Sequence, residues 1–117
     1  MSVTLQLALR TIEQRQPAGS WERVAALLLR QAIEEAELEY WTMRELPEMG
    51  SASQRHQLIA LSVLLQKPPT LAADVRHAWN RLSTACHANA RIVLPDADEL
   101  LELAATVEAL EHAEVPS

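Results

Sequence analysis

The sequence predicts an all-α, up-and-down bundle of about five helices, and three observations carry that expectation. From Ser20 to Leu46, Trp21, Ala25, Leu28, Ala32, Ala36, Tyr40 and Met43 recur at three- and four-residue steps, with Leu29 and Ile33 widening the stripe. That spacing lines one face of a long helix and requires other helices to cover it. The 117 residues include only 2 glycines, and no run alternates apolar and polar residues as a half-buried strand does. Prolines next to capping residues divide the remainder into helix-sized pieces.

In chain order, Ser2 caps a first helix to about Gln16, with Leu5, Ala8, Leu9 and Ile12 as its buried stripe. Pro17-Ala18-Gly19 ends it, because proline cannot continue a helix and glycine suits the left-handed position beyond one. Ser20 then offers its side-chain oxygen to the free amides of the long second helix. Arg23, Arg30, Glu34, Glu37 and Arg44 fall opposite the apolar stripe and are expected to face water. Leu27, Leu38 and Trp41 lie on that charged side. They imply either a helix packed on several sides or a surface for a partner. Glu35 and Glu39 lie beside the stripe, at its solvated edge or paired with Arg or His of a neighbouring helix.

Pro47 and Gly50 are expected to close the second helix. Ser51 or Ser53 caps a third that runs to about Gln66 and carries Leu58, Leu61 and Leu65 on one line, with Ile59 and Val63 beside them. After Pro68-Pro69, Thr70 caps a fourth helix from Leu71 to about Ile92, with Val75, Trp79, Leu82, Cys86 and Val93 as its apolar line. Asp96 with Glu99 forms a capping box. It starts a fifth helix, Ala97 to about Ala113, which buries Leu100, Leu103, Ala104, Val107 and Leu110 and turns Glu102, Glu108 and Glu111 outward.

The totals fit one domain over residues 1–117, and 49% hydrophobic residues suffice for a core without a metal or disulfide staple. The net charge of -6 argues against broad electrostatic binding of nucleic acid but leaves room for a local basic site. Lys67 is the only lysine, so arginine carries the positive charge. A single cysteine, Cys86, fits a reducing cytoplasm. No basic start followed by an apolar run predicts secretion, and no uninterrupted apolar stretch of about 18 residues predicts a membrane span.

Chemistry concentrates on the fourth helix, where His77, Asn80, Arg81, Thr84, His87 and Arg91 turn away from the apolar line. Asn89 lies near that line and calls for an internal hydrogen-bond partner. His77 and His87 lack the i, i+4 spacing of a helical metal site, and the adjacent Cys86 and His87 diverge by about 100°. His56 and His112 read as surface residues. No glycine-rich phosphate loop occurs, and no cofactor is expected. On its own this face also reads as a plain solvated helix surface.

The stretch Ala25-Ala26-Leu27-Leu28-Leu29-Arg30-Gln31-Ala32-Ile33-Glu34-Glu35-Ala36 resembles the A-x-x-L-x-R-Q-A-x-E-x-A helix of HEPN domains. These are small helical bundles found in prokaryotic toxins and defence systems. Arg81-Leu82-Ser83-Thr84-Ala85-Cys86-His87 is similar to the Arg and His pair that this family spaces along a later helix, although Leu82 stands where active members often carry a polar residue. The helix order agrees too. A second likeness, to small bacterial proteins with an LS-x-ACH segment, brings no activity with it.

The HEPN resemblance implies metal-independent RNA cleavage, with His87 moving a proton and Arg81 stabilising charge on the phosphorus. Asn80 or Thr84 orients the phosphate. On one regular helix Arg81 and His87 diverge by about 120°. The family's assembly of its site between two protomers relaxes that constraint, so a homodimer is expected. The expectations are a HEPN-like ribonuclease acting as a toxin or antiphage-defence component with an RNA substrate, or a catalytically inactive HEPN-like module that binds a protein partner, such as an antitoxin, or dimerises. A third is a regulatory component that binds a small nucleotide.

Overall fold

In the computed structural model, residues 1–16, 20–87 and 93–113 are described, and among them every regular element is a helix. The elements are α1 (Val3–Gln14), α2 (Trp21–Met43), a 3-10 turn (Pro47–Ser51), α3 (Gln54–Leu64), α4 (Leu71–Cys86) and α5 (Ala97–Glu111). α2 is the hub: it packs against α1, α4, α5 and the 3-10 turn. α3 leans on α4 and is tied to α2 through two side-chain hydrogen bonds. The all-α bundle is thus as the sequence predicts.

Three side-chain caps hold as expected. Ser2 Oγ accepts from the Leu5 amide at 3.0 Å, Ser53 Oγ from the His56 amide at 3.2 Å, and Asp96 Oδ1 from the Glu99 amide at 2.9 Å. Ser20 and Thr70 occupy cap positions but make no side-chain cap bond. Ser20 helps α2 only through its carbonyl, which accepts from the Val24 amide at 3.1 Å.

The ends of α1 and α2 differ from expectation for a common reason: a non-glycine residue takes the left-handed conformation. α1 stops at Gln14 because Arg15 turns to φ 41°, its amide still bonded to the Thr11 carbonyl. Pro17-Ala18-Gly19 lies outside the described residues. α2 stops at Met43, before Leu46, because Glu45 takes φ 61°. The Glu45 amide bonds the Thr42 carbonyl and the Leu46 amide bonds the Trp41 carbonyl at 2.8 Å, which is a Schellman motif. Pro47 and Gly50 therefore belong to the 3-10 turn beyond this stop rather than to the stop itself. α3 ends at Leu64, and α4 is described to Cys86 with His87 as its C-cap. The predicted extension toward Ile92, with Asn89 and Arg91, lies outside the described residues.

The core takes Leu5, Ala8 and Ile12 from α1, Leu58 and Leu61 from α3, Val75, Ala78 and Leu82 from α4, and Leu100, Leu103, Val107 and Leu110 from α5. Cys86 and Trp79 are only partly buried, and Val93 is exposed beyond the end of α4. On α2 the buried arc is broader than the predicted stripe and is turned toward Ala26, Ile33, Glu37 and Trp41. Met43 is exposed, and Trp41 is sealed at 0% exposure. The cause is the hub position: the 3-10 turn and α3 cover a side of α2 that a two-faced helix would leave wet. Leu27 and Leu38 stay exposed, as do Glu35 and Glu39. Glu35 accepts a hydrogen bond from Thr4 Oγ1 at 2.8 Å.

Candidate functional site

Three places hold the polar chemistry: the Arg81 clamp on α4, a groove between α3 and α4, and a buried carboxyl on α2.

Arg81 reaches across to α5. Its Nε donates to Glu99 Oε2 at 2.6 Å, and Nη2 donates both to Glu99 Oε1 at 3.0 Å and to the Val93 carbonyl at 3.0 Å. This fork-on-fork pairing matches planar guanidinium to planar carboxylate. The hydrogen bonds that Arg81 donates to Glu99 hold its guanidinium above its already high ordinary pKa, partly opposed by desolvation and helped by the carboxylate's charge. Glu99 thereby departs from the predicted capping box. Its amide is capped by Asp96, but its carboxylate turns to Arg81 instead of back to the cap. The arginine's charge is met within the chain.

His87 closes α4, its amide bonded to the Ser83 carbonyl at 3.2 Å. Its ring is exposed and has no hydrogen-bond partner among the described residues. Six residues of helix separate it from Arg81, about 9 Å along the axis and about 120° around it. Asn80, seven residues before His87, lies on nearly the same side of α4, about 20° away by the helical period. It lines a groove of about 410 Å³ between α3 and α4 together with Arg55, Leu58, Ile59, Ser62, Arg76 and Trp79. Thr84 Oγ1 donates to the Asn80 carbonyl, so Thr84 serves its own helix. In the single chain Arg81 thus stands on a different aspect of α4 from Asn80 and His87, which share one side about two turns apart. His56, His77 and His112 are exposed, and no cluster of three metal-ligating side chains occurs among the described residues.

The groove escaped the sequence reading because its members come from two helices read separately. Arg55 and Ile59 are one turn apart on α3, as are Arg76 and Asn80 on α4, with Trp79 beside them. Repeated cation-to-apolar steps on outward faces were the available signal. Trp79, expected on the core line, is half-buried at the groove, with the Arg30 guanidinium 4.8 Å from its ring centroid. Such a stack contributes roughly 0.5–1 kcal/mol.

The third place overturns an expectation. Glu37, predicted to face water, is fully buried. Gln54 Nε2 donates to its Oε1 at 2.7 Å, while Oε2 has no partner among the described residues. Burial raises its pKa from 4.5 to about 7, with Gln54 opposing and the charge of Glu34 adding to the rise. One turn on, Trp41 Nε1 donates to Gln57 Oε1 at 2.9 Å, and Gln57 Nε2 donates to the Ala52 carbonyl. The helical period puts Glu37 outside only for a two-faced helix, and α2 is covered on more than two sides.

No helix is long and apolar enough to cross a membrane among the described residues. Comparison with known family models, curated proteins and solved structures gives no match, so the functional reading rests on this chain's own chemistry.

Proposed function

We propose that this chain is a HEPN-like helical module that acts by binding a protein partner or a second copy of itself rather than by cutting RNA. The observation that carries the reading is the outer line of α2. Val24, Leu27 and Leu38 are each about half exposed and fall within one narrow sector of the helix. Exposed aliphatic side chains along one line favour association, since covering each removes apolar surface from water. Val3 and Leu7 add exposed apolar surface on α1. The test is sedimentation velocity over a concentration series, alone and with candidate partners, for the wild type and for Leu27→Glu with Leu38→Glu. The wild type should associate and the double variant should not. A monomeric wild type that binds no partner removes the reading.

A second reading is kept for one observation, the unpartnered and exposed ring of His87. That is the state a proton-transfer group needs. Under this reading the chain is a metal-independent ribonuclease of the toxin or defence type, and a second protomer completes the site beside His87. The Arg81–Glu99 clamp stands against it, because a guanidinium already neutralised by a carboxylate stabilises a transition-state phosphate poorly. RNA cleavage in EDTA by wild type, His87→Ala and Glu99→Ala separates the two. Cleavage lost in His87→Ala and raised in Glu99→Ala supports the enzyme.

A further inference from the structure

The groove between α3 and α4 shares no lining residue with the outer line of α2 and has its own chemistry. Its floor is apolar: Leu58 is buried against the core, and Ile59 is 54% exposed. Val63, one turn beyond Ile59 on α3, is 62% exposed and continues the apolar ridge. Two guanidiniums, Arg55 and Arg76, line the same groove, one from each helix, and no carboxylate lines it. Neither arginine has a hydrogen bond or ion pair among the described residues. Four other arginines are engaged: Arg81 by Glu99, Arg30 by the Trp79 ring, Arg44 by Tyr40, and Arg15 by the Ile12 carbonyl, whereas Arg10 on α1 is exposed as Arg55 and Arg76 are. In a chain of net charge -6, two unpartnered arginines beside an uncovered apolar floor form a local reversal of sign.

We propose that this groove binds an acidic amphipathic peptide segment of a partner protein. An apolar side chain of that segment fills the floor over Leu58 and Ile59, and Asp or Glu residues on either side meet Arg55 and Arg76. The guanidinium fork suits a carboxylate in a bidentate pair. Ser62, whose hydroxyl donates to the Ile59 carbonyl at 2.6 Å, keeps an acceptor oxygen for the segment's main chain, and Asn80 offers its amide. A volume of about 410 Å³ accommodates a few side chains rather than a domain face. Nucleic acid fits the groove less well. Arg30 already occupies one face of the Trp79 ring, which limits base stacking, and two cations in an acidic chain give a weak phosphate track.

The test is selection of a random dodecapeptide library on the intact protein, followed by titration of the winning peptide. Enriched sequences should carry an aliphatic or aromatic residue flanked by Asp or Glu. Backbone amide shifts on titration should cluster at Arg55–Ser62 and Arg76–Asn80. Arg55→Glu with Arg76→Glu should weaken binding about a hundredfold, and Arg55→Lys with Arg76→Lys about tenfold, since charge remains but the fork is lost. Both arginines are exposed, so the variants should keep the wild-type far-ultraviolet spectrum, and Leu27→Glu on α2 should bind the peptide as wild type does. Enrichment of sequences without acidic residues, equal binding by the Glu variants, or tighter binding of a single-stranded oligoribonucleotide than of any peptide overturns the proposal.

Discussion

Glu99 and Glu37 each tie a helix to its neighbour in this bundle, and they do so in opposite ways. Glu99 joins α5 to α4 at a place water reaches, with side-chain exposures of 23% for Arg81 and 33% for Glu99, and there the chain supplies a guanidinium. Glu37 joins α2 to α3 where water is excluded, and there the chain supplies only the amide of Gln54. The first tie keeps its charge and contributes little net stability, because solvent screens it. The second cannot keep a full charge cheaply, so its acidity shifts until it titrates near neutral pH, at about 7. Exposure, not residue type, decides whether an acid serves as an ion or as a neutral hydrogen-bonding group.

The largest expected effect lies on the Glu37 side of the comparison. Trp41→Ala should cost about 3–5 kcal/mol, from the cavity left by a sealed indole and from the stranded Gln57 carbonyl, measured by urea unfolding. If the loss is below about 1 kcal/mol, α3 is not anchored as described.

Next is the pH dependence. The folded-state pKa of Glu37, about 7, lies above its ordinary value of 4.5, so the folded chain holds the proton more tightly than the unfolded chain. The stability this contributes is fully present below pH 4.5 and is lost as pH rises through about 7. The full swing is about 3 kcal/mol. Glu37→Gln should flatten that part of the profile and be more stable than wild type at alkaline pH. A wild-type curve that rises steadily from acid to pH 8, with the same slope in the variant, would place the carboxyl in water.

On the other side, Glu99→Ala should cost about 1 kcal/mol and lose part of that difference in high salt, as a half-exposed ion pair does. Thermal melts at two ionic strengths measure it. A loss several-fold larger would make the clamp as structural as the buried tie.

The smallest effect is at Gly50, in the turn that covers α2. A Cβ there would meet Leu38 Cδ1 at 2.6 Å, but Leu38 is exposed and free to swing away. Gly50→Ala should therefore change stability by no more than about 0.5 kcal/mol. A larger loss would mean that Leu38 is held in place by something bound on that surface.

The legible parts of this fold were those set by local chemistry. Ser2, Ser53 and Asp96 announced helix starts because their side chains bond amides three residues away. The stripes of α3 and α5 held because each of those helices buries essentially one face. α2 was misread at Glu37 and Trp41 because contacts from the 3-10 turn and α3 come from distant sequence and enlarge its buried arc. Its end was misread because Glu45, rather than a glycine, takes the left-handed turn. The candidate site was legible as a set of residues and not as a geometry. Arg81, His87 and Asn80 are close in sequence, yet the helical period and the reach of Glu99 direct Arg81 away from the side that Asn80 and His87 share two turns apart. The groove was hidden for the converse reason, since Arg55 and Arg76 meet only through folding.

The bond from Trp41 to Gln57 also gives the molecule an optical gauge. Trp41 is sealed, Trp79 lies under a guanidinium at the groove, and Trp21 is half-buried at the start of α2, so the three indoles emit from three surroundings. With the other two replaced by phenylalanine, a red shift from Trp41 reads α3 leaving α2, while quenching or shift of Trp79 reads a visitor between α3 and α4. The same chain can thus be watched coming apart and filling up, in separate channels, without an attached dye.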